Sequence, residues 1–118
     1  MTEATEITRT GILTIGVTSQ NRRSVTEHPG RCRRFWIYHT RDGRITDREL
    51  IELTKEQTLH ATAPEISAPL QQLDVLLVAD MGPGLARRLA DRGIRVSASR
   101  EKEPEAAVVT FLTAGNPE

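Results

Sequence analysis

A histidine and a cysteine stand four positions apart in Thr26-Glu27-His28-Pro29-Gly30-Arg31-Cys32, with a Pro-Gly turn between them and arginines on either side. An imidazole and a thiol at that spacing can aim two soft donors, His28 and Cys32, into one cavity with positive walls, where neighbouring cations favour the thiolate that a metal needs. The same letters also fit a plainer arrangement, with Cys32 a small buried hydrophobe at the start of a strand and His28 a hydrogen-bonded loop residue. The local charge is uneven: Arg22, Arg23, Arg31, Arg33 and Arg34 face the single acid Glu27. A guanidinium fork suits multidentate anions better than an ammonium does, and Lys55 and Lys102 are the only lysines in the chain.

A second candidate is the glycine-rich run Asp80-Met81-Gly82-Pro83-Gly84-Leu85, between an apolar strand and a helical pattern. Such a turn lets backbone N–H groups approach an anion, and the helix start adds partial positive charge. Met81, Gly82 and Gly84 join Arg22, Arg23, His28, Arg31 and Cys32 as candidate cargo-binding residues, with His28 and Cys32 the candidate metal ligands. The glycines equally suit a tight strand-to-helix turn with Pro83 near the first helical position, and Met81 equally suits core packing. His60 is a possible auxiliary ligand in an irregular stretch. His39 sits in a strand, where it can alternate outward.

The elements that must position these residues come from 118 residues, 37% of them apolar, enough for one modest core and without a membrane-spanning run. Sixteen basic and sixteen acidic residues cancel, which removes the overall positive field of a general nucleic-acid binder. One cysteine excludes an internal disulfide and any self-sufficient four-cysteine cluster, and a reducing cytoplasm is expected. The acidic, polar start Met1-Thr2-Glu3 carries no visible export signal. Residues 1–10 read as a polar lead and 114–118 as a polar tail around a single domain over 11–113.

Within that domain, β-rich runs predict strands at 11–17, 35–40 and 44–51, the last two joined as a hairpin at Asp42-Gly43. Residues 52–73 read as an irregular connection with a helical turn near Pro69 to Leu73. Strand 74–79, helix 85–92, strand 94–98 and a last helix from Pro104 through Leu112 follow. The expected fold is α/β: a mixed five-stranded sheet, antiparallel in its first three strands and parallel thereafter, with helices as crossovers and covers. Ligands of open α/β sheets sit beyond the carboxyl ends of the strands, so the arginine loop and the glycine turn would share one crevice. Nuclease chemistry on such a sheet needs clustered carboxylates for two metal ions, and the first strand has none.

Taken in order, Ile15-Gly16-Val17-Thr18-Ser19, then residues 25–35, Asp74-Val75-Leu76, residues 81–89 and Gly93-Ile94 resemble the dinitrogenase iron-molybdenum cofactor biosynthesis family, over roughly residues 11–113. His28-Pro29-Gly30-Arg31 matches the family's His-x-Gly-Arg loop, and Gly82-Pro83-Gly84 its glycine-rich turn. Pro29 replaces a common aromatic, Asp80 a small residue, and Ala68 the histidine of a His-Pro-Leu triplet. The resemblance implies a ribonuclease H-like three-layer fold without nuclease activity. It also implies a non-catalytic carrier that transiently binds an iron-sulfur or iron-molybdenum cluster precursor. Its expected partners are nitrogenase cofactor assembly proteins rather than nucleic acid or membrane, and the expected assembly is a monomer or weak homodimer. A cluster that brings its own sulfides needs few protein bonds, which eases hand-off. The alternative is a cargo-free regulatory or protein-interaction module of the same fold. An enzyme acting on a phosphorylated small molecule lacks a general base beyond His28 or Asp80.

Overall fold

A computed structural model describes residues 11–26, 29–63, 65–80 and 83–114. The lead 1–10 and most of the tail, 115–118, lie outside the described residues. Five strands form one sheet: β1 (Ile12–Thr18), β2 (Arg34–Arg41), β3 (Arg44–Glu52), β4 (Val75–Val78) and β5 (Arg95–Ala98), in spatial order β3-β2-β1-β4-β5. β1, β2 and β3 pair antiparallel, and β1-β4 and β4-β5 pair parallel, as the sequence pattern led us to expect. The β2-β3 hairpin turns on Asp42 and Gly43, both at positive φ (52° and 81°), the backbone that a two-residue turn matched to strand twist requires.

Strand periodicity of two divides the core between the two faces of the sheet. Leu76 and Val78 join Phe35, Ile37 and Leu89 on one face, whereas Val75 and Leu77 join Ile15, Val17, Tyr38 and Val108 on the other. This explains the unbroken apolar run of β4, which is buried on both sides. The first face is covered by three helices, α1 (Leu59–Thr62), α2 (Ala68–Gln71) and α3 (Pro83–Ala90), and the second by α4 (Pro104–Ala114). Leu85 and Leu89 of α3 point into the core together, and Gly93, at φ 81°, lets Ile94 N–H reach back to Leu89 O and end the helix. Among the described residues no helix is long and apolar enough to cross a membrane.

The connection from Glu52 to Leu73 is more ordered than its sequence suggests. It holds a 3-10 turn at Lys55–Gln57 and α1, as well as the anticipated later turn, which forms as α2. Thr58 caps α1 by accepting from Ala61 N–H at 3.1 Å, and Leu59 alone of that helix is buried.

Candidate functional site

Parallel pairing carries β1, β4 and β5 to the same end of the sheet, where the segments that follow them are laced together. Thr26 N–H donates to Thr18 O (2.8 Å), Ala79 N–H to Thr26 O (3.2 Å) and Val25 N–H to Lys102 O (2.8 Å). The arginine-bearing loop is thus bonded to the end of β4, directly before Asp80 and the glycine turn. Met81 and Gly82 lie outside the described residues. Pro83 opens α3 as anticipated, and Gly84 is exposed, with nothing within 4 Å of a Cβ placed there.

The loop is shaped by its own polar side chains. Asn21 Oδ1 accepts from Arg23 N–H and Ser24 N–H, both at 2.9 Å, while Arg22 takes φ 67°. Trp36 Nε1 donates to Arg22 O (3.1 Å), tying this corner to β2. A 3-10 turn at Pro29–Arg31 then brings Cys32 N–H onto Pro29 O at 3.1 Å and drives Cys32 inward.

Cys32 is only 2% exposed and packs with Phe35, Leu53 and Leu59. Its Sγ donates to Arg34 O at 3.1 Å. Burial raises its pKa, outweighing hydrogen bonds from its surroundings and the Arg34 charge, which pull it down. The expectation of an accessible thiolate favoured by nearby cations is therefore corrected: desolvation dominates, and the sulfur belongs to the core. His28 lies outside the described residues, so the distance between the two soft donors is not part of this geometry. Among the described residues no three His, Cys, Asp or Glu side chains gather to hold a metal ion.

The five arginines do not share one field. Arg34 pairs with Glu52 at 3.4 Å and donates to Gln20 O at 2.9 Å. Arg33 donates to Leu53 O through Nε (2.9 Å) and stands 4.0 Å from the same Glu52. These two hold β2 and the end of β3 in place. Arg22 and Arg23 instead line a groove of about 610 Å³ on the α4 side, with Trp36, Tyr38, Arg48 and Glu103. There the Arg48 guanidinium sits 5.4 Å from the Trp36 ring centre and 3.2 Å from Glu105. Arg31 faces the α1 side, where its Nη2 lies 3.4 Å from Nε2 of the exposed His60. Sequence order alone could not pair residues 29 positions apart, nor bring Lys55 and Thr58 to the same cavity as Arg31 and Arg33. His39 meets Glu49 at 3.1 Å on the β2-β3 ribbon and takes no part in either cavity.

Comparison with known proteins agrees with this architecture. The chain is 24% identical over 110 residues to the uncharacterized protein MJ0580 of Methanocaldococcus jannaschii, with 92% of each chain covered. Its fold is similar to that of PH0822 (TM-score 0.71, 16% identity, 86% of this chain and 90% of the other). It is also similar to a candidate dinitrogenase, MJ0327, of Methanocaldococcus jannaschii (TM-score 0.66, 8% identity, 88% and 90%). A candidate NifB protein of Thermotoga, TM1290, is likewise similar (TM-score 0.63, 20% identity, 88% and 90%). The family model for the dinitrogenase iron-molybdenum cofactor matches residues 11–114, nearly the whole chain, and the protein belongs to that family.

Proposed function

We propose that the chain is a non-catalytic carrier that holds an anionic iron-sulfur or iron-molybdenum cluster precursor as cargo and passes it to nitrogenase cofactor assembly proteins in the cytoplasm. The strand order β3-β2-β1-β4-β5 supports a ribonuclease H-like arrangement, which in this proposal serves cargo binding. The observation that carries this reading is the bond from Ala79 N–H to Thr26 O, which joins the arginine loop to the strand end preceding the glycine turn. A negatively charged inorganic body at that end would draw on the exposed Arg22 and Arg23 from the α4 side and the exposed Arg31 from the α1 side, with the exposed Gly84 at the start of α3.

The donor set shapes how such cargo is held. With Cys32 buried and protonated, His28 is the one candidate protein ligand left from the pair, and charge supplies the rest of the attraction. Attraction of this kind releases cargo readily, because few bonds must be exchanged during transfer. The test is anaerobic mixing with a cluster precursor followed by gel filtration. Visible absorption should travel with the wild-type chain and be lost from an R22Q/R23Q/R31Q variant. Free cluster eluting apart from the wild-type protein would refute the proposal.

A second reading, a cargo-free protein-interaction module, is favoured by two features: the buried thiol and the exposed Asp80 beside the glycine turn. In that version the groove of Arg22, Arg23, Trp36 and Arg48 meets an acidic partner. A metal-free protein that co-purifies with such a partner from cells broken without oxygen would select it.

A further inference from the structure

The cavity on the α1 side carries a chemistry of its own. Arg31, Arg33, Lys55, Thr58, His60 and Ala61 enclose about 450 Å³, within the range of small-molecule pockets. Every ionisable side chain lining it is a cation or can become one. In a chain with equal numbers of acids and bases, such a lining is not a by-product of composition. Glu52, which pairs with the lining residue Arg33 at 4.0 Å, is also engaged by Arg34 at 3.4 Å. Among the described residues neither Arg31 nor Lys55 has an acidic partner within ion-pair distance.

The contact between Arg31 Nη2 and His60 Nε2 is long at 3.4 Å, and a guanidinium can only donate. Without a ligand the two groups fit together only when Nε2 lacks its proton. An oxyanion between them would accept from the guanidinium and from an Nε2–H at once, replacing one long contact with two hydrogen bonds, the guanidinium one charge-assisted. The walls are fixed in advance. Thr58, 5% exposed, bonds both Lys55 O (3.2 Å) and Ala61 N–H (3.1 Å), which sets Lys55 relative to His60. Arg88 Nη2 donates to Leu59 O at 2.7 Å, and Arg33 is anchored on Leu53 O. Gly30 lies close to the base of the His60 side chain, a Cβ there falling 3.7 Å from His60 Cβ.

We propose that this cavity binds a tetrahedral oxyanion of the phosphate class, either free or as the terminal group of a small monoester. A planar fork, a point-charge ammonium and an imidazole donor together suit its several oxygens, and the remaining volume admits a small organic substituent. The site shares Arg31 with the cargo reading, whereas Lys55 and His60 play no part in that proposal and so report on this cavity alone.

Titration of the full chain by calorimetry in a low-salt, phosphate-free buffer tests it, with inorganic phosphate and glycerol phosphate as separate probes. Saturable one-to-one binding of inorganic phosphate alone identifies a free oxyanion, and binding of both probes identifies a terminal phosphate group. H60Q and K55Q should each weaken binding by about tenfold, the usual worth of one charge-assisted hydrogen bond. R44Q, at the far end of the β2-β3 hairpin, should leave it unchanged. Thermal melts should match the wild type, because the replaced side chains are exposed. Absence of saturable binding with either probe, or affinity that H60Q and K55Q leave intact, overturns the proposal. Phosphate binding and cluster retention are read separately, so either assignment can fail while the other stands.

Discussion

Ala79 N–H donates to Thr26 O across 3.2 Å, joining two segments that are 53 residues apart in sequence (79 minus 26). This bond forms because parallel pairing of β1 with β4 ends both strands at the same edge, so the loop leaving β1 must pass the end of β4. The candidate cargo site is a consequence of that topology, and its arginines are sorted by what they touch.

Sorting by contact separates binding from stability. Among the described residues Arg31 meets no acid, whereas Arg34 bridges Glu52 and the Gln20 carbonyl. R31Q should therefore weaken cluster retention by about tenfold with an unchanged melting temperature. R34Q should lower stability by about 1 kcal/mol, because solvent screening of this part-exposed pair reduces its worth to that of an ordinary hydrogen bond, and leave retention nearly intact. Gel filtration with bound-cluster absorption, paired with thermal melts, checks both. Retention should also fall as salt is raised, because exposed charges are screened.

Burial of Cys32 makes it unreactive. A thiol reagent should modify it far more slowly than a cysteine in the denatured chain, at a rate that follows opening of the fold. C32A should cost about 1–2 kcal/mol through lost packing, measured by denaturant titration, while cluster retention survives. Rapid modification of the folded protein would return the sulfur to the list of ligands.

Alkaline pH should weaken the fold. Burial raises the pKa of Cys32 and also that of Tyr38, where desolvation outweighs the Arg48 hydrogen bond. For an acid group raised on folding, the stabilisation is complete below the unfolded value, about 8.5 for Cys and 10 for Tyr, and is lost as pH climbs through the folded value. Denaturant midpoints should accordingly be level near neutral pH and fall above about pH 9. C32A should flatten the first part of that fall, and a wild-type curve that rises there would contradict the assignment.

Gly16 is required by a close approach. A Cβ at this position would lie 2.8 Å and 2.9 Å from the two methyl carbons of Leu73, itself 4% exposed and held at the entry to β4. G16A should destabilise by about 1–3 kcal/mol, the usual cost of overpacking a core. Restoring room with the second change L73V should recover part of that loss in a double-mutant cycle.

Much of this arrangement could be read from the residues. Asp42-Gly43 announced the hairpin because few other pairs accept two positive φ values, and the unbroken Val75–Val78 run announced a strand covered on both faces. Helix α1 was not legible, since a four-residue turn with one buried side chain leaves no periodic signal. Cys32 was ambiguous for a different reason. Its neighbours in sequence are solvent-seeking arginines, yet the Pro29–Arg31 turn points its side chain the other way. The division of the arginines between two cavities was equally hidden, because Arg22 and Arg23 leave β1 on the α4 side while the later turn carries Arg31 to α1.

Iron, molybdenum and acid-labile sulfide, measured in protein purified without oxygen from cells that assemble such clusters, probe the central claim most directly. The carrier account expects iron and sulfide together on the wild-type chain, falling to background in the R22Q/R23Q/R31Q variant. A wild-type chain free of both, or a variant carrying as much as the wild type, would contradict it.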